Sequence, residues 1–142
     1  MSEQNFKNHG RYIPLWHFIT PTVMLAVTTG TFINFFNSAK ENKYSASLLV
    51  VISFLLWIIW WYERVFALKA QDRAIRAEEN FRHFILTGKP FDSRIRIGQI
   101  IGLRFASDEE MPALAKKAVE EKLTQKQVKE AIKNWKPDHY RA

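Results

Sequence analysis

Leu48-Leu49-Val50-Val51-Ile52-Ser53-Phe54-Leu55-Leu56-Trp57-Ile58-Ile59-Trp60-Trp61-Tyr62-Glu63-Arg64 is the stretch on which the reading of this chain turns. It is apolar all round apart from Ser53, and it stops at two adjacent charges. Counted from Ser45 to Tyr62 it has 18 residues, about 27 Å as a helix, close to the ~30 Å hydrocarbon core of a bilayer. A buried core helix or a buried strand is the competing reading. A chain of 142 residues has too little protein to surround such a segment on all sides. Trp57, Trp60, Trp61 and Tyr62 crowd the charged end, and amphipathic rings prefer the headgroup level.

Charge is segregated around this stretch. No Lys, Arg, Asp or Glu occurs from Tyr44 to Tyr62, nor in the 28 residues from Tyr12 to Ala39. Residues 63–142 carry 17 basic and 12 acidic side chains, which is most of the net charge of +7. That distribution excludes an ordinary soluble enzyme domain and a disordered tail protein. Cysteine is absent, which removes a disulfide framework and thiolate chemistry.

The first uncharged run, 15–36, is a second candidate span. It is more polar, with His17, five threonines, Asn34 and Pro21. Threonine is tolerable there because its hydroxyl can bond back to a carbonyl of the preceding turn. Pro21 sits near the start, where a missing backbone donor matters least. Thr22, Ala26 and Gly30 recur every four residues, a small face suited to close helix contact, with Ala46 and Ser53 as partners on the other span. An in-plane or re-entrant helix is the alternative. A cleaved signal peptide fits less well, because no clear pair of small residues follows at cleavage spacing.

Lys7, Arg11, Arg64, Lys69, Arg73 and Arg76 flank the outer ends of the two runs, against Lys40 and Lys43 between them. The positive-inside rule then places both termini in the cytoplasm and the connection outside. Trp16 falls at the same cytoplasmic interface as the Trp57–Tyr62 cluster. Arg64, Lys69, Arg73 and Arg76 are expected against anionic headgroups, each contributing about 1 kcal/mol.

From Glu63 to Thr87 there is no Gly or Pro, so the second span should continue as one helix that Gly88 and Pro90 end. From Ser45 that is 43 residues, about 65 Å. Phe66, Ala70, Ala74, Ala77, Phe81 and Phe84 recur at helical spacing on one face of it. This stripe is expected to be covered, by the chain's own 93–135 helices, a second copy or another subunit. On that reading Phe81→Ala costs a few kcal/mol and Arg82→Ala far less. Asp72 with Arg76, and Glu78 with Arg82, have i,i+4 pair spacing.

The remainder reads as a small helical unit. Asp92 or Ser93 is expected to cap a helix carrying Ile97, Ile100, Ile101 and Phe105. Ser107 with Glu110 has capping-box spacing ahead of Met111, Leu114, Ala115 and Ala118, as does Thr124 with Gln127 ahead of Val128, Ala131, Ile132 and Trp135. The expected fold is thus an all-α membrane protein. A two-helix transmembrane hairpin has its second span running into a long cytoplasmic helix, followed by a small helical unit. The segments are 1–14 N-terminal, 15–36 first span, 37–44 external connection, 45–62 second span, 63–87 stalk and 88–142 helical unit.

Chemistry is sparse. His9, His17, His83 and His139 are scattered, and His83, four residues after Glu79, fits an exposed helix pair. Asp108-Glu109-Glu110 lacks the alternating ligands and central glycine of a calcium loop, and helix capping accounts for it. There is no glycine-rich phosphate loop, nucleophile elbow or zinc-protease motif. No enzyme activity, metal or cofactor is expected. The expected partners are the lipid bilayer and other membrane-protein subunits or a second copy. The lysines from Lys116 to Lys136 admit a nucleic-acid or ribosome contact, but interleaved acids favour a solvated face. A transport path along the polar first span would need oligomers to form a lumen.

The stretches Phe66-Ala67-Leu68-Lys69-Ala70-Gln71-Asp72-Arg73-Ala74-Ile75-Arg76-Ala77-Glu78-Glu79-Asn80 and Leu103-Arg104-Phe105-Ala106-Ser107-Asp108-Glu109-Glu110, with the start Gln4-Asn5-Phe6-Lys7-Asn8-His9, carry a resemblance. They resemble a bacterial family of small two-span membrane proteins known only as a domain of unknown function. The resemblance covers nearly the whole chain and implies a bacterial inner-membrane protein. It implies no activity, cofactor or catalytic residue.

Overall fold

The computed structural model describes residues 4–10 and 12–138. It is all-helical, with no strand among the described residues. A π-helical turn, Leu15–Ile19, leads into α1, Thr20–Asn37. A single 3-10 turn, Lys40–Asn42, precedes α2, Lys43–Thr87. Three short helices follow: α3 Ile97–Leu103, α4 Met111–Glu120 and α5 Gln125–Glu130. Two helical segments, Leu15–Asn37 and Lys40–Thr87, are long and apolar enough to cross a membrane. The chain divides into two compact units, Arg11–Phe66 and a second made of the N-terminal residues to Gly10 together with everything from Ala67. The break between the units on α2 falls between Phe66 and Ala67. α2 from Ala67 onward, the short helices after it and the N-terminal residues to Gly10 fall in the same unit.

In the first unit, helix begins well before Pro21. Proline removes a donor and crowds the carbonyl four residues back, here that of His17. The wider π turn immediately before it absorbs that conflict, with the Thr20 backbone N–H donating to the Leu15 carbonyl. Thr22, Thr28 and Thr29 each donate their hydroxyl to the carbonyl four residues back, at 2.7–2.9 Å, as anticipated. The contact face is a different one from that expected. Thr22, Ala26 and Gly30 are exposed, and a Cβ on Gly30 would meet nothing within 4 Å. Sheltered positions on α1 are instead Pro21, Met24, Thr28, Thr31 and Phe35; on α2 they are Ala46, Val50, Ser53, Trp57, Trp60 and Arg64. Both series alternate steps of three and four, which puts each on one face of its helix. The Trp57 indole N–H donates to Thr28 Oγ1 at 3.0 Å, Thr31 Oγ1 lies 3.4 Å from Ser53 Oγ, and Trp16 stacks on Trp60 at 4.6 Å. These pairings run in opposite chain directions. Ala46 and Ser53 are buried, as the small-residue argument required of α2.

The second unit has a conventional core. Leu103, Ala106, Met111, Leu114, Ala115, Ala118 and Val128 are buried together. α3 and α5 cross closely at Gly102, where a Cβ would lie 2.9 Å from Val128 Cγ1, so glycine is required there. Gln99 is buried and fully used: Nε2 donates to the carbonyls of Ala118 at 2.6 Å and Leu123 at 2.9 Å, and Oε1 accepts the Arg96 N–H at 2.8 Å. That last bond makes Arg96 the cap of α3; Asp92 and Ser93 are not. Thr124 and Gln127 form the expected capping box of α5. α5 is shorter than its apolar spacing suggested, and Trp135 lies beyond it in a bridge with Ala106. Ser107 and Glu110 do not form a capping box: Glu110 is the N-cap residue of α4, but no side-chain cap bond is made there. The Glu110 carboxylate accepts the backbone N–H groups of Lys133 at 3.2 Å and Asn134 at 3.1 Å, tying down the segment after α5. Gly88, at φ +71°, closes α2 and donates its N–H to Phe84 at 2.7 Å.

The N-terminal residues clamp this core. The Gln4 amide makes two bonds to the Asp138 backbone, at 3.0 and 2.7 Å. His9 packs among Phe6, Phe105 and Trp135, with Phe105 stacked on Trp135 at 4.6 Å. Lys129 Nζ lies 3.0 Å from His9 Nε2. His9 Nδ1 lies 2.6 Å from the Phe6 carbonyl.

Candidate functional site: two faces of the second long helix

The part of α2 in the second unit presents two unlike faces. The sheltered one carries Gln71, Asp72, Ile75, Glu79, Asn80, Arg82 and His83, of which only Ile75 is apolar and only Ile75 is buried. Its contacts are mostly polar. Arg82, 14% exposed, reaches three acceptors: Asp108 Oδ1 at 2.7 Å through Nε, the Ala106 carbonyl at 2.7 Å, and Glu79 at 3.0 Å. Its i,i+3 partner is thus Glu79, not Glu78. The Arg82 hydrogen bond holds the Asp108 carboxyl below its ordinary pKa, against a smaller desolvation effect. Asn80 Oδ1 accepts the Phe91 N–H at 3.0 Å. His83 stacks against Phe91 at 4.4 Å and donates through Nδ1 to the Lys89 carbonyl at 2.8 Å, so it is not the Glu79 pair that spacing suggested.

The other face is the apolar stripe. Ala70, Ala74, Ala77, Phe81 and Phe84 are all exposed, Phe81 at 65%, and Phe66 is exposed at the end of the first unit. The chain's own 93–135 helices, the first of the three coverings expected, do not cover it. The fold engages α2 through hydrogen bonds of Asn80, Arg82 and His83 on the polar side, leaves Gln71 Oε1 buried without a partner there, and leaves aromatic side chains bare.

The remaining candidate residues divide. Trp16, Trp57 and Trp60 pack between α1 and α2, whereas Trp61 and Tyr62 point outward. Arg64 lies over the Trp16 ring at 5.3 Å and is half-buried, while Lys69, Arg73 and Arg76 are exposed. Lys116, Lys126 and Lys136 each face a carboxylate, of Glu120, Glu130 and Asp108, at 3.8–3.9 Å. Asp108 and Glu110 act as bridges inside the unit, a role that capping rules missed because the partners are distant in sequence. No group of three His, Cys, Asp or Glu side chains suited to a metal occurs among the described residues. His139 lies outside them.

Comparison with known proteins gives one match. The model of a family of unknown function, DUF6526, matches residues 1–142, the whole of the chain. No curated protein and no solved structure matches.

Proposed function

This chain belongs to the DUF6526 family, and we propose that it is a non-enzymatic, membrane-anchored helical protein that acts by protein contact. It serves as a subunit of a larger membrane complex or as a homo-oligomer. In this reading α1 and the first part of α2 span a bacterial inner membrane as a hairpin, with the Ser38–Asn42 connection outside and both termini cytoplasmic. The observation that carries it is the bare aromatic face of α2. A contiguous apolar stripe on a water-facing helix is an interaction surface or an aggregation liability. The polar face is already occupied, so this is the side available to a neighbour. Large rings flanking a run of three alanines suit a facing helix, because alanine admits its side chains. The pairing of Lys116, Lys126 and Lys136 with acids weighs against a nucleic-acid role.

Photo-crosslinking tests this directly. A photoreactive residue placed at Ala74 or Ala77, in the full chain in its native membrane, should yield one discrete adduct, either a dimer or one other membrane protein. The same residue at Lys117, away from the stripe, should yield none. Recovery of the protein as a monomer without adducts would remove the proposal.

A further inference from the structure

A cavity of about 390 Å³ opens between α2 and the loop after it. That volume lies in the range of small-molecule sites, roughly 300–1,000 Å³. Arg73 and Arg76 line it from α2, and no ion pair involves either among the described residues. Ile95 and the buried Ile100 give it an apolar side. Ser93 adds a hydroxyl. One acid, Asp92, is also present, but Arg94 grips it, with Nη2 to Oδ2 at 2.6 Å and Nε to Oδ1 at 3.0 Å. That acid therefore brings its own cation, and the two helix arginines keep their charge uncompensated.

We propose that this cavity binds a phosphate group carried on an apolar chain. The phosphate sits against Arg73 and Arg76, and the first carbons of the chain sit against Ile95 and Ile100. Guanidinium forks match phosphate oxygens in pairs. A carboxylate is filled by one fork; a phosphate offers oxygens enough for two. A bare phosphate would leave the apolar side unused. Two sources supply this chemistry, a membrane phospholipid or a soluble phosphate ester. Ala77 of the stripe also lines the cavity, so the two surfaces adjoin, but the phosphate is held by Arg73 and Arg76 and neither reading requires the other.

The test uses the full chain in a neutral maltoside detergent with dodecyl phosphate as the probe, followed by calorimetry. Saturable binding is expected, at least tenfold tighter than inorganic phosphate. Arg73→Gln with Arg76→Gln should weaken it at least tenfold. Lys117→Gln with Lys126→Gln, which removes the same charge elsewhere, should change it less than twofold. Circular dichroism checks that each variant folds, and the single arginine variants replace the pair if it does not. In nanodiscs, loss of probe binding when phosphatidic acid is added assigns the site to a lipid. Retained binding assigns it to a soluble ester. No saturable binding, equal affinity for inorganic phosphate, or an arginine variant that binds like the parent would overturn the proposal.

Discussion

The two units place their apolar side chains in opposite ways. In Arg11–Phe66, α1 buries no residue, and Leu25, Ile59 and Trp61 are each 62% exposed. In the other unit Leu103, Phe105, Ala106 and Met111 are fully buried. The first unit also turns many of its polar groups inward: backbone in helices, threonine hydroxyls on carbonyls and the Trp57 indole N–H on Thr28, with the buried Trp60 N–H left without a partner. Water would expel such a surface, and an apolar solvent would accept it, because the helical backbone and these side chains place little hydrogen-bonding demand on it. The second unit has the reverse economy, a closed core under charged side chains. The contrast is the main physical support for a chain that works across a boundary between two solvents.

The largest effect should come from the closed core. Phe105→Ala removes a ring that is buried and stacked on Trp135. It should lower stability by about 3–5 kcal/mol, read from urea denaturation of the detergent-solubilised protein. A charge in the open unit comes next. Leu55→Arg should add about 2.5–3.5 kcal/mol to insertion and reduce the fraction kept in carbonate-washed membranes. The same change at Ile97, 41% exposed in the other unit, should stay within about 0.5 kcal/mol. If both substitutions are equally harmless, the two units face the same solvent.

The third comparison is between the faces of α2. Arg82→Ala leaves Asp108 and Glu79 without their shared partner and should cost about 1.5–3 kcal/mol. Phe81→Ala should cost no more than about 0.5 kcal/mol in the isolated chain. That order is the reverse of the one its apolar spacing predicts. Because Asp108 is held below its ordinary 3.8, its pairing is fully present above that pH and is lost as acid protonates the folded carboxyl. The gap between the parent and Arg82→Ala should therefore narrow as pH falls through that window. A constant gap would assign the loss to the uncharged Ala106 bond.

This reversal shows where sequence reading succeeds and where it stops. The two long helices, the Gly88 stop, the Thr124–Gln127 box and the buried row Met111, Leu114, Ala115 and Ala118 were all legible, because each rests on local spacing. The face of α2 that packs was not. Periodicity counts apolar residues, and that face has one, Ile75; its other contacts are hydrogen bonds to Asp108, Ala106 and Phe91, distant in sequence. The seam between α1 and α2 was misplaced for a related reason. Small residues at steps of four stood out, while the true contacts mix Met24, Thr28 and Phe35 with tryptophans. The clamp by Gln4 and His9 had no local signature at all.

Solvent accessibility of single cysteines tests the central claim most directly, since the chain has none of its own. Leu25→Cys, Ile59→Cys, Asn42→Cys and Lys117→Cys would each be exposed in intact cells, and then after lysis, to a maleimide that cannot cross membranes. The account predicts that Asn42→Cys labels at once, Lys117→Cys labels only after lysis, and Leu25→Cys and Ile59→Cys stay unlabelled until denatured. Labelling of Leu25→Cys and Ile59→Cys at the rate of Lys117→Cys after lysis would contradict it.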